Sequence, residues 1–342
     1  MIYVKRYYAV LFLVLVFYGY GSQVSANNSS TTLKIATRMP KGNIYHRSLQ
    51  EVGTTWRELQ GKNARFIIYP DGVQGTEQDT VRRMRIGQLD AAMLSVAGLK
   101  EIDESVAALQ LMPFVFRSWD EYDYVHRHLR AELEEKLLEK GFVVLYWGEG
   151  GWVHFFSTEP RLTPQDYKTA RIFAWAGTPA QVDLMKSIGY QPVPLGLSDI
   201  LSSLQTGMID TVPASPLWAL AFQFYQTTNH MHSMNYAPIV GATVVTKRTW
   251  DKLSPEEQAV MMESSRKAEK MLRDNRDKQD KESIEAMKAN GLVVDEVTPE
   301  IEQQWMDMIR DIWPLIRGNF VPADMFDKVQ NLLAEYRNQQ SM

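Results

Sequence analysis

Residues 64–95 read ARFIIYPDGVQGTEQDTVRRMRIGQLDAAMLS. Residues 64–69, rich in aromatic and β-branched side chains, form a strand, and Pro70-Asp71-Gly72 ends it with a strong turn signal. Residues 78–86 follow a helical pattern stopped by Gly87, and residues 89–95 form the next strand. A strand, a helix and a strand in such close succession make a βαβ unit. Just upstream, residues 33–36 (LKIA) alternate as a strand, residues 38–42 (RMPKG) are the loop leaving its end, and residues 44–59 place apolar side chains at helical spacing. The fold class is therefore α/β with a largely parallel sheet. Residues 109–116 (LQLMPFVF) form a buried segment crossing toward the second half of the chain.

A second set of elements begins near residue 142. Residues 142–147 (FVVLYW) and 152–157 (WVHFFS) are two strands with the flexible Gly148-Glu149-Gly150-Gly151 between them. Residues 170–175 form a strand, 179–188 a helix, and 198–204 a further helix stopped near Gly207. One pattern occurs in both sets: Gly87-x-Leu89-Asp90 and Gly207-x-Ile209-Asp210. A helix ended by glycine and followed directly by a strand is the same structural event twice, which predicts two similar α/β lobes. Ser254-Pro255-Glu256-Glu257 then opens a long helix, with Ser as N-cap, Pro in the first position and Glu in the third. Nothing breaks it before Gly291. At 1.5 Å per residue it is about 55 Å long, longer than one lobe. Its centre, RKAEKMLRDNRDKQDKE, is heavily charged, so it is expected to lie as a strut across both lobes with only a narrow apolar stripe buried.

The ends and the composition bound the function. Lys5 and Arg6, an apolar run over 7–20 and the small residues Val24-Ser25-Ala26 have the order of a secretory signal peptide, residues 1–26, cleaved after Ala26 for a periplasmic location. The run is shorter than the ~20 residues a membrane span requires. The chain has 37 basic and 41 acidic residues; removing Lys5 and Arg6 leaves 35 against 41, a charge of −6. No basic block marks a nucleic-acid surface. Without cysteine, a thiol enzyme, a Cys-ligated zinc site and a lipoprotein anchor are excluded. No G-x-S-x-G, H-E-x-x-H or Walker pattern occurs, and Gly148–Gly151 lacks the order and following helix of a phosphate cradle. His126-x-His128, on a helix, points two ways and is read as a surface feature. His230-x-His232 has no neighbouring carboxylate or thiol set for a metal. No catalytic residue, metal or cofactor is assigned; an exported α/β enzyme or a pure sensor remains as the alternative class.

Several segments together resemble the solute-binding family of tripartite (TRAP) transporters of DctP type: DGVQGTEQD, MRIGQLDAAMLS, LMPFVFRSWDE, PVPLGLSDILSSLQTGMID and TTNHMHSMNYAPIVGATVVTKRTWDKLSPEEQ. The likeness runs in order from about residue 33 to the end of the long helix. It implies a two-lobed, periplasmic-binding-protein-like fold (type II-like) hinged around a cleft, with the long helix spanning both lobes. It also implies delivery of a small molecule to membrane permease subunits. The lobes would be residues 33–149 plus 239–275, and 150–238 plus 276–336.

The departures from that family bear on the ligand. Members hold a carboxylate with an Arg on a strand after a D-L-K-G-like turn; here the turn is Asp166-Tyr167-Lys168-Thr169, and counting on from it puts Phe173 at that position. Two further polar positions fall on Val153 and Ala214. A carboxylate enclosed without a cation keeps a large desolvation penalty, whereas an apolar group buried against Phe173, Trp175, Trp152 and Trp218 gains about 25 cal/mol per Å². The expected ligand is therefore apolar or amphipathic. A register shifted by two would instead make Arg171 a carboxylate clamp. The departure also resembles a branch whose corresponding strand reads K-x-W-x-W, which implies a tetratricopeptide-repeat lipoprotein as a further partner. Met39, Tyr45, Tyr69 and Met93, at or beyond first-lobe strand ends, complete the candidate cleft, because ligands of open α/β sheets bind outside the carboxyl ends of strands. Tyr236 and Ile239, before the second crossover, are similar candidates. His154 is a candidate for hydrogen bonding to a ligand, and Glu149 is read as a solvated turn residue, with acceptance of a hydrogen bond from ligand or service at the hinge as the alternatives.

Overall fold

The computed structural model describes residues 32–61 and 64–340, so the expected signal peptide lies outside the described residues. β1 (Thr32–Thr37) runs parallel to β2 (Arg65–Tyr69) on one side and to β3 (Ala91–Ser95) on the other. The helices Ile44–Gln60 and Glu77–Arg85 make the two crossovers. Leu33 and Ile35 point to one face, where they pack with Leu49, Val52 and Trp56 of the first helix; Ala36 points to the other, with Val81 and Met84 of the second. This is period-two alternation sorting side chains between two helical layers.

The sheet continues through β4 (Phe142–Ser157), β5 (Arg171–Trp175), β6 (Gln191–Leu195), β7 (Thr211–Ala214) and β9 (Ala237–Thr246) in the order β2-β1-β3-β9-β4-β7-β5-β6. Two short strands, β8 (His230–His232) and β10 (Val293–Asp295), pair with each other, and β8 joins β4. β5 is parallel to β6 and β7, but β9 is antiparallel to both β3 and β4, so the sheet is mixed.

The four-residue pattern noted in the sequence does the same work in both halves of this sheet. Gly87 and Gly207 take left-handed conformations, with φ of 79° and 71°, and Leu89 and Ile209 behind them are buried. Asp90 then donates its N–H to Lys34 O at 2.9 Å and accepts the N–H of Lys34 on its carboxylate at 2.8 Å. Asp210 donates to Arg171 O and accepts from Arg171 N, both at 3.0 Å. By this correspondence Lys34 of β1 matches Arg171 of β5. Four residues further on, Arg38 matches Trp175.

β4 departs from expectation. Residues 142–157 form one 16-residue strand, not two strands joined by a flexible turn. Its first part pairs with β9 and its last four residues with β7. Register shifts fall between Val144 and Tyr146 and between Glu149 and Trp152, and such bulges bend a strand without ending it. Gly151, at φ 89°, sits where a Cβ would approach Asp280 of the long helix to 2.5 Å. The glycine thus serves close approach of a helix to a bent strand.

The long helix, Pro255–Lys288, starts with the expected capping box between Ser254 and Glu257. Met261, Ala268 and Leu272 join the core of the first half of the sheet, and Met287 joins that of the second with Phe224 and Leu292. It spans both halves, as expected, but its charged centre is not simply solvated. Glu269 is buried and takes Arg130 at 2.6 and 2.9 Å and Arg273 at 2.8 Å. Arg276 is buried, forks onto Asp123 at 2.8 and 2.6 Å, and lies 4.4 Å from the centre of the Trp119 ring.

Gly241 of β9 lies opposite Ser95 of β3, and a Cβ there would meet the Leu94 carbonyl oxygen at 2.5 Å. Because a backbone atom cannot yield, Gly241→Ala is expected to destabilise by about 1–3 kcal/mol. A thermal melt should show a midpoint several degrees lower; an unchanged midpoint would contradict the tight β3–β9 approach.

Candidate functional site

Strand polarity decides where a site can form. Arg171 stands at the amino end of β5, with its side chain 51 % exposed and bridged to Asp210 at 3.1 Å. The opposite, carboxyl ends of β1, β3 and β5 converge. There the Arg38 guanidinium, just past β1, lies over the Trp175 ring at the end of β5, 5.1 Å from its centre. These are the two matched positions of the halves, so the cleft closes on a cation–π contact between equivalent residues. Arg38 is half-buried, and no carboxylate among the described residues pairs with it.

Behind Arg38 is a cavity of about 10 Å³, room for little more than one water. Thr37, Gln74, Glu77, Thr80 and Met93 line it. The turn over residues 70–75 brings Gln74 there, and the start of the helix Glu77–Arg85 brings Glu77. Glu77 is buried, and its carboxylate accepts the N–H and the hydroxyl of Ser95 at 2.8 and 2.5 Å. The wall is therefore mixed, with Thr37, Gln74, Glu77 and Thr80 beside Ala36, Met93 and Leu94, and Trp175 lies beyond it against Arg38.

The candidates from the sequence divide. Met93 lines the cavity, and half-buried Trp175 meets Arg38. Met39 is half-buried against the first-half core. Phe173 is 4 % exposed, packed edge-to-face behind Trp175 at 4.9 Å among Ile200, Leu204 and Val212; it backs the aromatic face and is core. Ala214 is buried in the same core, and Trp218 is half-buried against it. Trp152 is buried at the β4 bend, 4.6 Å from Trp119, beneath the long helix. Val153 pairs with Ala237, and its carbonyl accepts the N–H of Tyr236 at 2.9 Å. Tyr236 itself belongs to an aromatic cluster, edge-on to Phe114 and Phe155 at 5.1 Å each, and Tyr69 packs on the same large core. Tyr45 is buried and donates its hydroxyl to Glu149 O at 2.8 Å; Ile239 packs where a Cβ on Gly150 would lie. The structure thus gathers Met93 and Trp175, with Met39 beside them. It does not bring Trp152, Tyr236 or Arg171 to that point.

His126, His154, His230 and His232 are held within the fold. His126, expected at the surface, is buried, stacked on Tyr122 at 5.5 Å, and burial pushes it down to about 4. His154 bonds through Nδ1 to His232 O at 3.1 Å and is likewise pushed down to about 4 by burial. His232 is held by Leu162 O and Met234 N, and His230 by Asp295. Among the described residues no group of three or more His, Asp or Glu side chains is placed to hold a metal. Glu149, read as a solvated turn residue, is buried. Arg38, Gln74 and Glu77 carry no motif of their own in the sequence, but they lie in the RMPKG loop and the DGVQGTEQD turn at strand carboxyl ends, where ligands of open α/β sheets bind.

A mixed α/β sheet in two matched halves, crossed by one long helix and with strand carboxyl ends facing each other across a cleft, is the fold of periplasmic solute-binding proteins. A TRAP periplasmic solute-binding protein of Sulfitobacter sp. NAS-14.1, solved with bound β-D-galacturonate, superposes with a TM-score of 0.78 at 19 % identity, over 89 % of this chain and 99 % of that one. One from Chromohalobacter salexigens, solved with D-glucuronate, gives 0.79 at 19 % identity over 88 % and 99 %. The sequence pattern of the family described as bacterial extracellular solute-binding protein, family 7 (DctP) matches residues 35–317, and the chain belongs to that family. The 2,3-diketo-L-gulonate-binding periplasmic protein of Escherichia coli is 25 % identical over 282 residues, 78 % of this chain and 81 % of its own length. The protein is accordingly a TRAP-type solute-binding subunit and not an enzyme; proteins of this kind bind small ligands and deliver them to membrane permeases. No helix among the described residues is long and apolar enough to cross a membrane.

Because Phe173 is core, Phe173→Ala is expected to cost about 3–5 kcal/mol of stability. Trp175→Ala, at a half-buried position, should cost less stability and weaken ligand binding more. Melting curves and titrations on the two variants check this, and the reverse order would move Phe173 into the cleft.

Proposed function

We propose that this subunit captures a small amphipathic organic acid, its carboxylate on Arg38 and its flat or apolar body on Trp175. The observation that carries the reading is the half-buried Arg38 guanidinium, without a carboxylate partner among the described residues, held over an aromatic ring at the mouth of a cavity that Thr37, Gln74 and Glu77 help to line. A buried acid needs a cationic partner, and a planar guanidinium offers two parallel donors to a carboxylate. Glu77 and Gln74 suit hydroxyl groups. The solved relatives above hold galacturonate and glucuronate, sugar acids with one carboxylate, several hydroxyls and a C–H face that can lie on a ring. They lend no support to a wholly apolar ligand, and Phe173, the residue on which that expectation leaned, is core. Arg171 fits a structural role, since Asp210 already engages it at the far end of the strand.

The same reading extends to the rest of the chain. The two lobes, 33–149 plus 239–275 and 150–238 plus 276–336, meet at the β4 bend. Export to the periplasm accompanies cleavage after Ala26. An accessory tetratricopeptide-repeat lipoprotein, besides the permease subunits, is supported by the Phe173–Trp175 pair on β5.

Isothermal titration with D-galacturonate, D-glucuronate and decanoate, on the wild type and on Arg38→Ala and Arg171→Ala, tests the site. Loss of one charge-assisted hydrogen-bonding group, worth about 1.5–3 kcal/mol, predicts a roughly 10- to 150-fold weaker acid complex for Arg38→Ala. Arg171→Ala should leave affinity unchanged. Acid binding that survives Arg38→Ala but fails in Arg171→Ala would overturn the assignment.

A further inference from the structure

Beneath the long helix, at the bend of β4, lies a group of charges that ligand contact does not explain, with Glu149, Glu269 and Arg276 buried and Asp280 half-buried. Glu149 is 2 % exposed, and its Oε1 has no hydrogen-bond partner among the described residues. Two cations of the long helix face it, Arg276 and Arg273, but both are engaged elsewhere: Arg276 forks onto Asp123, and Arg273 bridges to Glu269. Asp123 and Glu269 add negative charge, and Tyr122 and Tyr45 complete the surroundings, the Tyr122 hydroxyl also lacking a partner. Asp280 lies on the same helix, three turns on from Glu269. Its carboxylate accepts the N–H of Trp152 at 3.2 Å, presses on Gly151, and faces Asp277 and Tyr45. The two carboxylates thus flank the irregular Glu149–Trp152 step of β4, where its pairing passes from one half of the sheet toward the other.

We propose that closure of the two halves takes up protons on Glu149 and Asp280, so that the hinge of this protein is pH-sensitive. In the proposed motion, bending at the step lifts β4 from the helix, admits water to Glu149 and further exposes the half-buried Asp280, which favours their charged forms. Closing returns them to a site with too few free donors and cations, which favours the neutral forms. Burial pushes each carboxylate up to about 7, with Asp123 and Glu269 adding to the rise at Glu149 against Arg276 and Arg273, and Asp277 adding at Asp280. The closed state is therefore favoured below the ordinary carboxylate range, and that advantage is lost as pH rises through about 7. The buried His126 and His154 act oppositely on overall stability, which they support above the ordinary histidine range and withdraw as pH falls toward 4. A melting curve alone would mix the two, so the hinge has to be read directly.

The chain has no cysteine, so Val73→Cys and Ser198→Cys, both at exposed positions beyond strand ends of opposite halves, give unique spin-label sites. Pulsed distance measurements on the mature, ligand-free protein at pH 5.5 and 8.5 report the open-to-closed ratio. Each unit of pKa difference between open and closed forms is worth tenfold per carboxylate, so the ratio should rise with pH by roughly tenfold or more. The Glu149→Gln/Asp280→Asn double variant should stay closed at both values; if it does not fold, the isosteric Glu149→Gln alone should shrink the change. A distance distribution that ignores pH in the parent, or shifts equally in the variants, would overturn the proposal. No ligand is needed, so this test stands apart from that of Arg38.

Discussion

The structure depends on one constraint: a single strand must bend inside the protein while a helix lies directly across the bend. β4 and β9 run from one half of the sheet toward the other as continuous backbone, so the halves cannot move apart without deforming these strands. A bulge leaves backbone groups out of the ladder, and buried backbone groups require partners. The long helix supplies one through Asp280, which takes the N–H of Trp152, and Tyr45, of the helix packed beside it on the same face of the sheet, caps the Glu149 carbonyl. The polar residues of the helix centre are therefore what lets the bend exist at this depth. Ions brought inside for that purpose need counter-ions, which accounts for the forks of Arg130 on Glu269 and of Arg276 on Asp123.

Around this bend the two halves repeat one another. In each, a glycine ends a helix, an apolar residue enters the core, and an aspartate ties its own strand to the amino end of the neighbouring one by a reciprocal pair of hydrogen bonds. The aspartate fixes strand register, and register fixes which residue emerges at the carboxyl end. The repeat therefore determines which side chains meet when the cleft closes, even though Asp90 and Asp210 lie at the end of the sheet away from it.

Much of this was legible in the sequence wherever the controlling chemistry is local. The capping box at Ser254, the glycine stops at residues 87 and 207 and the βαβ alternation each depend on neighbours a few residues away, and each forms as read. What failed depends on partners far along the chain. Gly148–Gly151 has the composition of a turn, and only the arrival of Asp280, some 130 residues later, makes it a pressed strand. The spacing of His126 to His128 points to the surface, but the helix buries a broad face with Tyr122, Val125 and Leu129. Arg171 and Phe173 compete for one clamp position in the sequence; the Asp210 bonds hold the first at the far end of β5, and the second lies in the core.

The matched positions Arg38 and Trp175 explain why the missing strand arginine need not mean an apolar cleft. When one half supplies a cation and the other an aromatic face at equivalent sites, neither half alone offers an amphipathic acid both of its contacts. A ligand that touches both gains more from the closed arrangement than from the open one, and only such differential affinity can shift the equilibrium between them. The cation–π contact that joins the two residues is weak enough, at about 0.5–2 kcal/mol, to be replaced by a carboxylate on one side and a ring or C–H face on the other. On the proposed reading, selectivity would rest on matching the separation of charge and apolar surface in the ligand to the gap between two strand ends, and β4, which is continuous between the two halves, ties that gap to its bend.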